Sequence, residues 1–255
     1  MIRRLLLLAL LCLTFADVWA QCVSSKNSYG QVVTTCDIYD AASSHITVTY
    51  LGTPYLTFPT FLNGTIQLDR GGQTIACELA YDLVTNTVMC RFDGSKSVNN
   101  VAPYAFTIHG ITFVRQLNSV LGVDYPVYLT ALNTGQTTLA KRLTSRLVPG
   151  LTENKYVKSS PFQGTYTPTA SYYIRKGDAQ PQLTNLSRKS LLEILYDQAE
   201  KIALKVPNKS LSPDEVIQVL QYYDSLTTVA NADKPSLSTD PAFNQFLREE
   251  IKYPG

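Results

Sequence analysis

FLNGTIQLDRGGQTIACELAYDLVTNTVMCRF, residues 61–92, is the stretch whose reading decides the fold. It reads as three antiparallel strands joined by two turns, with one cysteine on each of the last two strands. Ile75, Cys77 and Leu79 alternate with polar or small neighbours, and so do Val88, Cys90 and Phe92 beyond YDLVTN. A period of two places each trio on one face of its strand. With the turn centred between Leu83 and Val84, Cys77 lies directly across from Cys90, Ile75 from Phe92 and Leu79 from Val88. Opposed Cβ atoms are about 4.5–5.5 Å apart, near disulfide reach. A buried Cys77–Cys90 bond is therefore expected, with two buried thiols as the alternative. Asp69-Arg70-Gly71-Gly72 supplies glycines where a hairpin needs positive φ, which makes Thr65–Leu68 and Gln73–Leu79 neighbours.

Upstream, residues 21–60 carry two or three strands. Val32–Tyr39 is rich in β-branched residues, and Ile46, Val48 and Tyr50 alternate with Thr47 and Thr49. Pro54 and Pro59 interrupt GTPYLTFPTF, which reads as a loop or edge segment. Downstream, Tyr104–Val114 reads as one strand whose apolar parity changes around His109-Gly110, a pattern that predicts a β-bulge. Tyr125–Leu132 and Gln136–Leu143 form a hairpin across Asn133-Thr134-Gly135. Residues 147–170, rich in Pro, Gly, Ser and Thr, read as a surface loop, and Ser171–Arg175 as a short strand.

From residue 187 the period changes. Leu191, Leu192, Leu195 and Ile202 fit a helix starting near Ser187. Ser212-Pro213-Asp214-Glu215 is a helix start: serine caps, proline suits the first helical position, and Glu215 completes a capping box. Val216, Val219, Leu220 and Tyr223 then form an apolar stripe. A third, shorter helix is expected from Asp240-Pro241 through Phe243, Phe246, Leu247 and Ile251. The fold class is α+β: an antiparallel β-meander, roll or partly open barrel, followed by two or three helices. The expected division is a signal peptide over 1–20, a β-rich domain over 21–180 and a helical segment over 181–255 packed on it.

The signal reading rests on Arg3 and Arg4, the apolar run LLLLALLCL, and Val18-Trp19-Ala20 before Gln21. It predicts an exported chain, periplasmic or extracellular, beginning at Gln21. Lipid anchoring at Cys22 is the lesser reading, because Trp19-Ala20-Gln21 is a poor approach to an acylated cysteine. No other stretch is long and apolar enough to cross a bilayer. Processing leaves 20 basic and 19 acidic residues, a balance that gives no reason to expect nucleic acid as a partner. It also leaves four cysteines, and pairing Cys77 with Cys90 leaves Cys22 to Cys36 across KNSYGQ.

Several motifs carry a resemblance. GTPYLTFPTFLNGTIQLDRGG (52–72), ACELAYD (76–82), SYYIRKGD (171–178), LSRKSLLEILYDQAEKI (186–202) and VIQVLQYYDSL (216–226) together resemble a group of uncharacterised exported proteins of Bacteroidota-type bacteria. The resemblance spans most of residues 50–226 and rests on fold-forming residues. It implies a β-rich N-terminal part with a short helical tail, and export, but no activity. Tyr81-Asp82 stands where that group has Tyr-Asn.

The chemical vocabulary is thin. His45 and His109 are the only histidines. Asp37, Asp40 and His45 lie close together, but their spacing matches no metal-ligand motif and reads as solvated polar residues. There is no GxSxG, HExxH, phosphate loop or dinucleotide fingerprint. Arg70-Gly71-Gly72 is explained by its turn, and Lys141, Arg142 and Arg146 by a solvated strand end. No cofactor is implied. The aromatic residues Tyr50, Tyr55, Phe58 and Phe61, with Tyr166, Tyr172 and Tyr173, are candidate ligand contacts for a glycan or peptide, weighed against a role in sealing sheet edges. The reading favours a non-enzymatic envelope or extracellular module for binding or assembly, its partner another envelope protein or a glycan. The alternatives are a hydrolase whose carboxylate pair forms only in three dimensions, and a barrel-like carrier of an apolar ligand.

Overall fold

The computed structural model describes residues 20–39, 45–92, 95, 97–120, 123–150 and 162–232. The signal sequence, save Ala20, and the third helix expected from Asp240 lie outside them, as does Asp40. The chain divides into two compact units, one running to Thr130 and including Lys141–Ser171, the other comprising Ala131–Ala140 and the chain from Tyr172.

The first unit is built mainly of antiparallel ladders. β1 (Ala20–Lys26) and β2 (Val32–Tyr39) form a hairpin in which Cys22 opposes Cys36, and a disulfide joins them. β2 pairs with β3 (His45–Leu51), where Cys36 faces Val48. β4 (Leu62–Gln67) pairs with β5 (Thr74–Asp82), and β5 with β6 (Thr87–Arg91), which carries β7 (Asn99–Val101) on its far side.

The hairpin between β5 and β6 corrects the expected disulfide. Leu79 opposes Cys90, Tyr81 opposes Val88, and Asp82 opposes Thr87. The turn is therefore centred one residue later than the pattern suggests, and pairing slips by two. Two interactions fix it there. The Asp82 carboxylate accepts from the backbone N–H of Val84 (2.8 Å) and Thr85 (3.1 Å), and Asn86 takes a φ of 57°. A slip of two keeps every side chain on its face, so Cys77, Leu79, Val88 and Cys90 are all buried as expected. It also makes Cys77 and Cys90 diagonal neighbours, typically about 7–8 Å apart, beyond disulfide geometry. The two cysteines are not bonded to each other.

A second correction concerns His109-Gly110. The parity change marks a tight hairpin, not a bulge: β8 (Ala105–Ile108) turns directly into β9 (Ile111–Val120), with Ile108 opposite Ile111. His109 and Gly110 have φ of 52° and 74°, the two positive values a type I′ turn demands. β8 lies against β4, and β9 against β10 (Val123–Ala131). The core gathers Tyr81, Phe106, Phe113 and Tyr128, whose ring centroids are 5.0–5.8 Å apart in edge, tilted and stacked pairs.

Third, much of the expected 147–170 loop is strand. β11 (Thr137–Pro149) and β12 (Phe162–Lys176) are long, and their threonines suit a pleated surface. The Thr144 and Thr169 hydroxyls meet at 2.8 Å. The start of β12 runs parallel to β3, so the sheet is mixed. Its strand order is β1-β2-β3-β12-β11-β10-β9-β8-β4-β5-β6-β7, with β13 (Gln182–Thr184) also on β12. β1 and β7 end the path and do not pair with each other, so among the described residues the class is β-rich α+β and not a closed barrel.

In the second unit, helices cover the inner ends of β11 and β12. Ser187 caps α1 (Arg188–Ile194), accepting from Ser190 N–H at 3.3 Å. The expected single helix breaks at Leu195 into a 3₁₀ turn, Tyr196–Gln198, and α2 (Ala199–Ala203). The predicted capping box is present on α3 (Pro213–Ala232): Ser212 Oγ accepts from Glu215 N–H at 3.2 Å, and Glu215 accepts from Ser212 N–H at 2.7 Å. Leu191, Leu195, Ile202, Val216, Leu220 and Tyr223 pack on Leu139 and Ile174 of the strands. Asp224 of α3 accepts from Thr137 N–H at 3.1 Å, holding the turn that opens β11.

Candidate functional site

α3 presents two faces. Val216, Val219, Leu220 and Tyr223 turn inward. Glu215, Gln218, Val219 and Tyr222, spaced as i, i+3, i+4 and i+7, lie side by side along another stripe. The connection from α2 passes beside that stripe. It is pinned there by the Arg188 guanidinium donating to Val206 C=O at 2.8 Å, by Leu211 N–H donating to Leu186 C=O at 2.8 Å, and by burial of Val206 and Leu211. Between connection and helix runs an open groove of about 350 Å³, lined by Lys205, Pro207, Leu211, Glu215, Gln218, Val219 and Tyr222.

The groove has an apolar floor and few charges. Glu215 is fully engaged: one oxygen accepts from Lys209 at 2.8 Å, the other from Ser212 N–H. The Lys209 contact, with the Ser212 backbone, draws its pKa down to about 2, so it is a fixed anion at neutral pH. Lys205 stands 5.6 Å from the Tyr222 ring centroid. A single carboxylate that is already paired offers no acid/base couple.

A second polar cluster lies in the same unit. Lys176 bonds Asp197 at 2.9 Å, Tyr223 donates to the other Asp197 oxygen at 2.7 Å, and the Lys176 ammonium lies near the rings of Tyr196 and Tyr223. Burial alone would push Asp197 up, but the hydrogen bonds from Lys176 and Tyr223 outweigh it and hold the carboxyl below its usual range. This cluster ties β12 to the 3₁₀ turn and to α3, and explains why the helix breaks at Leu195.

The aromatic candidates do not form one site. Tyr50 meets Tyr166 with centroids 5.5 Å apart, and Tyr55 bridges to Asp82 through its backbone. Burial, then the nearby Asp82 carboxylate, raises the Tyr55 hydroxyl; burial, then Tyr50, Asp82 and Tyr55, raises Tyr166. Phe58 lies 5.8 Å beneath Lys26, and Phe61 3.7 Å from Arg91. Leu56 N–H donates to Tyr81 C=O and Leu83 N–H to Pro54 C=O, so the segment is stitched along the end of β5. The rings of Tyr50, Tyr166, Phe58 and Phe61 each have an intramolecular partner, and Tyr55 is tied in through its backbone. Tyr172 and Tyr173 belong to the other unit, on opposite faces of β12, and Tyr172 packs against the helical core.

The remaining candidates resolve locally. Asp37 accepts from the Thr47 hydroxyl at 2.8 Å, and no group of three potential metal-ligating side chains occurs among the described residues. His109 is exposed at the tip of its hairpin. Gly71 has a φ of 76° in the β4–β5 turn. Arg142 is not a solvated strand end: its Nε is buried, and its charge bears on the Tyr81 hydroxyl. The groove residues were missed because the sequence reading runs only along the inward stripe of Val216, Val219, Leu220 and Tyr223, which passes over Tyr222. The helical period separates the two tyrosines, Tyr223 into the core and Tyr222 into the groove. Comparison with family models, curated proteins and solved structures returns no match.

Proposed function

We propose that this chain is an exported, non-enzymatic binding or assembly module whose docking surface is the groove along α3. The observation that carries the reading is the groove itself: an apolar floor of Pro207, Leu211, Val219 and Tyr222 on a capped helix, with its one carboxylate already neutralised. Its volume is within the about 300–1,000 Å³ typical of ligand sites. Export is supported by the signal pattern and by the Cys22–Cys36 disulfide, which fits a non-cytoplasmic compartment. No helix among the described residues is long and apolar enough to cross a membrane.

The test is photo-crosslinking in the producing cell. Gln218 is replaced by p-benzoylphenylalanine, and in a second strain Lys189, an exposed residue on α1, is replaced likewise. A discrete cross-linked product from position 218 and none from 189 is expected. No product at 218, or the same products from both, overturns the reading.

A further inference from the structure

The occupant of the groove can be read from what the groove leaves unsatisfied; this step rests on the docking reading above. Glu215 has its cation in Lys209 and a second donor in Ser212 N–H. Lys205 meets no carboxylate among the described residues, and its ammonium stands over the Tyr222 ring. Among the described residues the groove thus carries one positive charge without a carboxylate partner, beside an aromatic face. Gln218 is exposed, and its amide has no hydrogen-bond partner among the described residues, leaving a donor and an acceptor at the centre of the stripe. Leu211 and Val219 are nearly buried already, so they form a floor and not a deep socket. An opening of about 350 Å³ is too small for the flank of a long helix and suits a few residues of extended chain.

We propose that the groove takes a short extended segment of a partner protein, with apolar side chains on Leu211, Val219 and Tyr222, a backbone amide on Gln218, and a following Asp or Glu carboxylate on Lys205. A fatty acid shares the anion and the apolar chain but has no amide to pair with Gln218. Complementary charge at such a rim fixes orientation and is weakened by salt.

The experiment uses the full chain purified after export, isotope-labelled, and follows backbone amide shifts with three probes. These are acetyl-Gly-Leu-Phe-Asp-Glu-Gly-amide, its Lys-Lys counterpart, and decanoate. The acidic peptide is expected to move the amides of Gln218, Val219 and Tyr222 and to bind about tenfold more weakly to Lys205→Glu, with Lys189→Glu unchanged. Equal binding of the basic peptide, binding of decanoate alone, or no shift with any probe overturns the proposal. A cross-link from position 218 without peptide binding would sink this occupant alone; no cross-link sinks the docking surface itself.

Discussion

Cys90 lies directly across from Leu79, and Cys77 sits one pleat further along the same face. The two cysteines share a core without sharing a bond. Burial pushes the Cys90 thiol above its ordinary pKa, which keeps it protonated and inert. Non-reducing peptide mapping should recover a 22–36 cross-link and no 77–90 cross-link, with Cys90 alkylated only after unfolding. A 77–90 cross-linked peptide would restore the earlier turn centre.

What holds the turn in its observed place is Asn86. Its side chain accepts from the Tyr81 hydroxyl at 2.8 Å and donates to Pro126 C=O at 2.8 Å, while its backbone sits at positive φ. Asn86→Ala removes both bonds, strands the Tyr81 hydroxyl and leaves at positive φ a residue that tolerates that region less well than asparagine. A loss of about 2–4 kcal/mol is expected by urea unfolding. Asn86→Gly relieves the backbone and should cost less. Equal losses would mean that the backbone conformation is not part of the effect.

The contrast between these residues shows what the sequence can carry. Alternation at 75–92 identifies the buried face, because a two-residue slip leaves faces unchanged. Register is different: it depends on where Asp82 and Asn86 close the loop, and a six-residue YDLVTN permits more than one centre. The capping box at Ser212 was legible because all its parts are local. The break at Leu195 was not, since it answers to Lys176 and Tyr223, distant in sequence. His109-Gly110 was misread because a histidine at positive φ is an uncommon turn residue. The groove was illegible for a similar reason: it exists only once the connection after α2 is laid beside α3.

Gly64 and Gly71 make a paired prediction about space against backbone. A β-carbon on Gly64 would lie 2.4 Å from Thr107 C=O and 2.8 Å from Leu79, inside the ladder between β4 and β8. Backbone cannot yield cheaply, so Gly64→Ala should cost about 1–3 kcal/mol from overpacking. Gly71 has open space around it but a φ of 76°, so Gly71→Ala should cost about 1–2 kcal/mol from conformation alone. Crystal structures or amide shifts of the variants separate the two causes: displacement of Thr107 in the first and none beyond the turn in the second. An undisturbed Thr107 in a stable Gly64→Ala protein would show the contact to be looser than described.

The Lys176–Asp197 pair gives a pH dependence with a definite sign. Burial opposes charge on both groups, but their hydrogen bonds, shared with Tyr223, win: Asp197 is held below the usual carboxylate range and Lys176 above the usual amine range. A carboxyl whose folded pKa is lowered contributes stability that is complete above its unfolded value, about 3.9, and is lost as pH falls through the folded one. An amine whose folded pKa is raised contributes below its unfolded value, about 10.4, and loses that contribution as pH rises through the folded one. Between these limits the pair adds a constant term. Both side chains are about a third exposed, 29% and 35%, so solvent screening keeps that term to about 1 kcal/mol or less. Asp197→Asn keeps acceptor geometry for Tyr223 but removes the titrating group. The urea midpoint of the helical signal should therefore fall less steeply in the variant than in the parent below about pH 4. Parallel acid slopes in the two proteins would show that Asp197 is not held below its ordinary pKa, and the latch between β12 and α3 would then be steric and not ionic.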